Sequence, residues 1–203
     1  MSKIALPGYG QAEEPEWTVW LTVLVALLLG WILATSVTGS NETISDAAIG
    51  SIQVPSSWVP TSEDGALIAA TDIDAGSYGS RVSVRSASKA DLLPTRSGET
   101  LEAAATNWSV LRGQNLEGYR ILQITETSVA GRPAVAIEYA YLTDPPEGLA
   151  SGVMPALMHA IDTVVASGDG FAILTVAVDQ SSQSSSDSLD ALNSRIVAGW
   201  QVP

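Results

Sequence analysis

The sequence predicts an α+β domain, an antiparallel sheet covered by helices, preceded by one transmembrane helix. Three observations predict it. Residues 17–37 run for twenty-one positions without a charge. Further along, two pairs of strand-like segments are each joined by a short glycine turn. The apolar period also changes from two to about 3.6 twice, in the middle of the chain and at its end, which marks helices among strands.

At about 1.5 Å rise per residue, the run 17–37 makes a helix of roughly 31 Å, the thickness of a bilayer's hydrocarbon core. A secretory signal peptide has a shorter apolar stretch and a basic leader. Here residues 1–16 carry Lys3 against Glu13, Glu14 and Glu16. Ala34-Thr35-Ser36 also fits a cleavage site, so removal of the segment stays open as the alternative to a retained anchor. Trp17 and Trp20 stand where the helix would leave the hydrocarbon, the depth that indole rings prefer. Trp20, Leu24, Leu27 and Trp31 recur at helical spacing and share a face. Lys3 favours an amino terminus on the cytoplasmic side and a C-terminal domain outside the cytoplasm, periplasmic or extracellular.

The expected organisation is a cytoplasmic leader at 1–16, the membrane span at 17–37, a small-polar linker at 38–49 and the domain at 50–203. "SIQVP" and "GALIAATDI" read as short strands, separated by a Pro55–Pro60 segment that a central strand would not tolerate. "SRVSVRS" alternates Val82 and Val84 against polar neighbours, the period of a half-buried strand. In "ETLEAAATNWSVLRGQ", Leu101, Ala104, Ala105, Trp108 and Leu111 form one helical stripe, with Gly113 as its expected stop. "YRILQITETSV" and "PAVAIEYAYL" form a hairpin about Ala130-Gly131-Arg132, and "ALMHAIDTVVAS" and "GFAILTVAV" another about Gly168-Asp169-Gly170. Ser184 with Asp187 suggests a capping box opening a last helix, with Leu189, Leu192, Ile196 and Val197 on its inner face. Gly199 ends it, and Trp200 and Val202 turn back onto the sheet.

Strands that follow one another in hairpins, without crossover helices between them, argue for an antiparallel sheet rather than a doubly wound parallel one. The order "VPSSWVP", "SRVSVRS", "TLEAAATNW", "ITETSVAGRPAVAIEYAY", "ASGDGFAILTVAV" and "IVAGWQV" resembles the PsbP/Mog1-like domain family over roughly residues 50 to 201. Its most specific piece is the turn Val129-x-Gly131-x-Pro133-Ala134. Members of that family are mostly non-catalytic and include an extrinsic subunit of photosystem II, a binder of a small GTPase and bacterial surface lipoproteins. The resemblance implies a docking domain and does not choose its partner. A transmembrane helix in place of a lipidated cysteine or a cleaved targeting peptide is a departure from the family's exported members.

Nine basic residues against twenty-two acidic ones give a net charge of −13, which argues against nucleic acid as a partner. The chain has no cysteine, so thiolate catalysis, disulfides and zinc–sulfur sites are excluded. His159 is the only histidine. Asp162 lies three residues on, and in a strand those two positions face opposite sides, so they do not form a dyad. No G-x-S-x-G or G-K-[ST] motif occurs. Asp72 and Asp74 share a turn with Gly76 and are the weak candidates for a divalent cation, although the rest of a calcium loop is missing. Asn41 and Asn107 match the glycosylation sequon, a pattern common by chance.

No catalytic residue and no cofactor is therefore expected. The expected function is that of a single-pass membrane-anchored, non-catalytic accessory subunit, docking through its outer domain on an integral membrane protein complex, photosynthetic or respiratory. The bilayer would be its second partner, through residues 17–37, with Trp17, Trp20, Leu24, Leu27 and Trp31 as anchor. The Pro- and Gly-rich stretch between the hairpins supplies the docking candidates Tyr141, Leu149, Met154 and Met158. The alternative is a free-standing surface module for a small or apolar ligand, which would show a deep apolar pocket. An enzyme would need a cleft holding His159 within reach of a carboxylate.

Overall fold

In the last two strands most residues are apolar, and alternate side chains feed two separate cores. A computed structural model describes residues 16–38, 41–75, 78–93, 100–144, 154–180 and 188–203, and, within the first helix, the side chains at 17 and 19–31. Helix α1 spans Glu16–Thr38. It belongs to one compact unit, and everything from Asn41 onward to another. Among the described residues no helix is long and apolar enough to cross a membrane; the span expected over 17–37 therefore rests on the sequence.

The second unit holds a two-stranded hairpin, β1 (Asn41–Asp46) and β2 (Gly50–Pro55), and a seven-stranded antiparallel sheet. The sheet's strands are β3 (Val59–Pro60), β4 (Ile68–Thr71), β5 (Arg81–Ser88), β6 (Arg120–Val129), β7 (Arg132–Thr143), β8 (Ala156–Ser167) and β9 (Gly170–Asp179), in the order β3-β4-β5-β9-β8-β7-β6. The helices are α2 (Lys89–Leu92), α3 (Leu101–Asn115) and α4 (Leu189–Ala198). The antiparallel α+β class is as the sequence predicts, and both expected hairpins are present. Ala130 and Gly131 turn the first with φ of 49° and 79°, the mirror-image turn that suits the strands' twist.

Strand β9 shows how the two cores divide. Ala172, Leu174 and Val176 pack with Ile161, Val165 and Val82 under α4 and the β1–β2 hairpin. Phe171, Ile173 and Ala177 pack with Val164, Ile137 and Tyr139 under α2 and α3. A sheet covered on both faces needs apolar residues at both parities, which is why β8 and β9 read as continuous apolar runs. From α4, Leu189, Leu192 and Ile196 enter the first core, and Trp200 follows them.

Several boundaries differ from the sequence expectation. The stretch 38–49, read as a linker, contains β1, whose six residues pair with β2. The polar composition of β1 hid it, because within the strand only Ile44 packs against the core, with the buried Ile49 lying beyond the turn. Asp46 Oδ1 accepts the Ala48 N–H at 2.8 Å to shape the turn. Gly50 follows with φ of 83°, and a Cβ there would lie 1.8 Å from the Gln201 carbonyl oxygen, so this position admits only glycine. Gly113 does not stop α3, which runs to Asn115. A Cβ at Gly113 would meet the Tyr119 ring at 3.2 Å; the glycine makes room for the aromatic ring instead. Helix α4 is capped by Ser188, whose side chain accepts from the Ala191 N–H. Ser184 and Asp187 lie outside the described residues. Helix α2, not expected, opens with a capping box of Ser88 and Asp91.

Candidate functional site

The four docking candidates fall in different environments. Tyr141 on β7 and Met158 on β8 are register partners and both are buried in the core under α3. That corrects the expectation for these two, since they close the ends of strands rather than belong to a loop. Met154 is 79% exposed, and its carbonyl accepts the Tyr78 hydroxyl at 2.7 Å. Leu149 lies outside the described residues. In α1, Trp17, Trp20, Leu24, Leu27 and Trp31 are all exposed.

The exposed apolar surface of the domain lies at one edge of the sheet instead. Strand β6 pairs only with β7, and every one of its residues except Val129 is exposed. Ile121, Leu122 and Ile124 are 44%, 50% and 49% exposed. Ile121 and Ile124 stand opposite Tyr139 and Ile137, on the α3 side, with a register shift between Ile121 and Gln123. On the other face Leu142 and Leu157 are register partners and are exposed too. Apolar exposure thus wraps around both faces of the β6 end.

His159 and Asp162 face opposite sides of β8, as the spacing predicts. His159 Nε2 lies 2.8 Å from Glu138 Oε1, on the α4 side and partly buried. That carboxylate was not legible in the sequence, because it comes from the neighbouring strand, twenty-one residues earlier. His159 and Glu138 line neither of the two cavities described below.

Asp162 is fully buried on the α3 side. Its Oδ2 accepts from the Trp108 indole N–H at 2.6 Å and from Arg112 Nε at 3.1 Å. Its Oδ1 accepts from the Tyr139 hydroxyl at 2.9 Å, and Arg112 Nη2 donates to the same hydroxyl oxygen at 2.6 Å. Burial acts to lower the Arg112 pKa, but the Asp162 carboxylate and Tyr139 outweigh it, and the guanidinium is held above its ordinary value. Burial, then the Asp162 charge, raise the Tyr139 hydroxyl well above its ordinary value. The same two causes push Tyr119, whose ring centroid is 4.9 Å from that of Tyr139, up to about 12. Two signals point to this cluster: an acid within an apolar strand needs partners, and Trp108 and Arg112 lie four apart on one helix face. Every hydrogen-bonding oxygen of Asp162 is occupied from within the fold, so the cluster is arranged to hold α3 on the sheet.

A cleft of about 700 Å³ opens at the hairpin end of the sheet, lined by polar and small residues such as Ala47, Ser88, Lys89 and Asp169 together with the apolar Ile49, Phe171 and Pro203. A smaller cavity of about 120 Å³ lies under the C-terminal half of α3. Asp72 Oδ1 accepts the Asp74 N–H at 3.1 Å, so that carboxylate shapes its own turn. Among the described residues no group of three or more His, Asp or Glu could hold a metal. Asn107 donates to the Leu92 carbonyl at 2.6 Å, which leaves its amide engaged in the fold rather than open to a glycan.

No family model and no curated protein matches the sequence. Among solved structures, the chain is similar to cyanobacterial PsbP (CyanoP) from Synechocystis, with a TM-score of 0.54 and 11% identity over 81% of this chain and 93% of that one. It is also similar to a Pseudomonas aeruginosa protein of unknown function described as a putative regulator, with a TM-score of 0.36 and 10% identity over 70% and 85% of the two chains. A Bacteroides thetaiotaomicron protein gives a TM-score of 0.45 and 10% identity over 82% of this chain and 49% of that one. The first similarity gives the domain a PsbP-like fold; the other two are too distant to add to it.

Proposed function

We propose that this protein is a single-pass membrane-anchored, non-catalytic accessory subunit that docks on an integral membrane protein complex. The β6 edge carries the reading. A ten-residue strand open on one side presents unpaired N–H and C=O groups, and proteins usually shield such an edge with Lys, Pro or a covering element. From Arg120 to Val129 there is neither Lys nor Pro, the one bulge-like register shift is confined to Ile121–Gln123, and three large aliphatic side chains are exposed. An extended segment of a membrane-complex subunit, added to this edge, would pair the backbone and cover Ile121 and Ile124. The PsbP-like fold supports an accessory role, with a photosynthetic or respiratory assembly as the suggested host.

Anchorage rests on the charge-free run 17–37, on a backbone helical from Glu16 to Thr38 and on the exposed Trp17, Trp20, Leu24, Leu27 and Trp31. Lipid is the surrounding that makes five such side chains favourable on one helix. With Lys3 inside, the domain stands outside the cytoplasm. His159 and Glu138 act as a structural pair on this reading. A module for an apolar ligand is less well supported, since the larger cleft is open to solvent and its lining mixes Ile49 and Phe171 with the charged Lys89 and Asp169.

A photo-crosslinking residue placed at Ile124 in native membranes tests the docking edge, with the same residue at exposed Leu67 as control. One discrete adduct from position 124 and none from 67 is expected. Equal labelling from both positions would remove the edge from the proposal.

A further inference from the structure

We infer that the cavity between α3 and strands β5, β7 and β9 is a binding site for a small oxyanion, a single carboxylate or phosphate group. Strand β5 sends Val82 and Val84 into the core under α4. Its alternate residues Arg81, Ser83 and Arg85 therefore point to the α3 side. Ser83 stands opposite Thr175 in the β5–β9 register. Arg81, Ser83, Thr175, Arg112, Tyr141 and Glu63 line the cavity of about 120 Å³.

Charge and hydrogen bonding both point to an anion. Arg85 is paired with Glu63, and Arg112 with Asp162. Arg81 has no ion pair among the described residues, which leaves one positive charge in excess at this place in a chain of net charge −13. Six buried side-chain nitrogen or oxygen atoms among the described residues lack a hydrogen-bond partner, and two of them, Arg81 Nε and Thr175 Oγ1, belong to residues that line this cavity. Thr175 is only 5% exposed. Unpartnered buried polar atoms are costly and mark a missing partner. The patch is rich in donors, and its one carboxylate is already engaged by Arg85, so the missing partner is an acceptor. Guanidinium groups match carboxylate and phosphate oxygens in geometry as well as charge. At about 30 Å³ per water, the volume holds roughly four waters or one small oxyanion and excludes a nucleotide. This site is independent of docking at β6.

Isothermal titration calorimetry of the full chain in nonionic detergent, at constant ionic strength, tests it with inorganic phosphate and with acetate. Saturable one-site binding of at least one anion at millimolar concentration is expected, and the tighter of the two identifies the group. Arg81→Gln should weaken that binding about tenfold or more, the loss of a charge-assisted contact. Thr175→Val should weaken it several-fold, yet melt no lower than the wild type without anion, because it removes an unpartnered hydroxyl. Should Arg81→Gln fail to fold, Arg81→Lys and Thr175→Val carry the comparison. No saturable binding of either anion to the wild type, or wild-type affinity in these variants, would overturn the inference and leave a water-filled cavity.

Discussion

Trp108 on α3 donates its indole N–H to Asp162 on β8 at 2.6 Å, across fifty-four residues of sequence. With Arg112 on the next turn, this contact ties the helix to the centre of the sheet and places a carboxylate in the core. A buried carboxylate depends on its counter-charge far more than a surface one does.

Arg112→Leu should therefore destabilise the domain by about 3–5 kcal/mol, since it leaves the Asp162 charge unpaired in the core. Arg112→Leu with Asp162→Leu should recover part of that loss. Urea unfolding followed by tryptophan fluorescence checks both variants. A double variant as unstable as the single one would mean that packing, not charge, dominates the cluster.

High pH gives a second test. The Tyr139 and Tyr119 hydroxyls are raised in the folded protein, the latter to about 12. Above about pH 10 the unfolded chain releases these protons while the folded one keeps them, so stability must fall as pH rises. The contribution is complete below pH 10 and is lost between pH 10 and the folded values. Tyr139→Phe should start from lower stability, because Asp162 loses a donor, but show a shallower alkaline decline. Melting curves from pH 8 to 11.5 read both effects. An alkaline slope unchanged in Tyr139→Phe would contradict them.

The closing helix offers a third. Leu192 and Ile196 are buried from α4 in the core under the β1–β2 hairpin. Leu192→Ala should cost on the order of 2–5 kcal/mol in chemical denaturation. A cost below about 1 kcal/mol would show a helix that rests on the sheet without filling it.

Elements with strong period were legible in the sequence. The two hairpins, α3 and α4 showed as alternation or as a helical stripe, and Trp200 packs as expected. Strand β1 was not legible, since it places only Ile44 against the core and leaves Ile49, Ile52 and Val54 to fill the rest of the hairpin's inner face. The exposed edge was hidden for another reason. "YRILQITETSV" reads as one arm of a hairpin, and only the order of pairing, with β6 last, leaves Ile121, Leu122 and Ile124 uncovered. Loop composition pointed instead to Tyr141 and Met158, which the same pairing buries. The Asp162 cluster left partial local signals, the lone acid in an apolar strand and the Trp108–Arg112 spacing, but its pairing and the Arg81 cavity join residues far apart in sequence.

The proposed membrane anchor can be tested by itself. With residues 17–37 retained, alkaline carbonate should leave the protein in the membrane fraction, and mass spectrometry should recover peptides from residues 1–16. A mature terminus near Val37 would show that the segment is cleaved. Changing Leu24 and Leu27 together to Lys should release the protein from membranes, because each charge near the centre of the span costs roughly 2.5–3.5 kcal/mol.

Docking through β6 is tested most directly by native gel electrophoresis of membranes solubilised in mild detergent, comparing the wild type with Ile124→Asp and His159→Ala. The wild-type chain, 21.1 kDa by itself, should migrate in a larger assembly. Ile124→Asp should fall to the size of the free subunit in its micelle with an unchanged circular dichroism spectrum, since a charge is placed in an apolar contact. His159→Ala should stay in the assembly. A wild type that migrates alone, or an assembly lost with His159→Ala and kept with Ile124→Asp, would contradict the docking function.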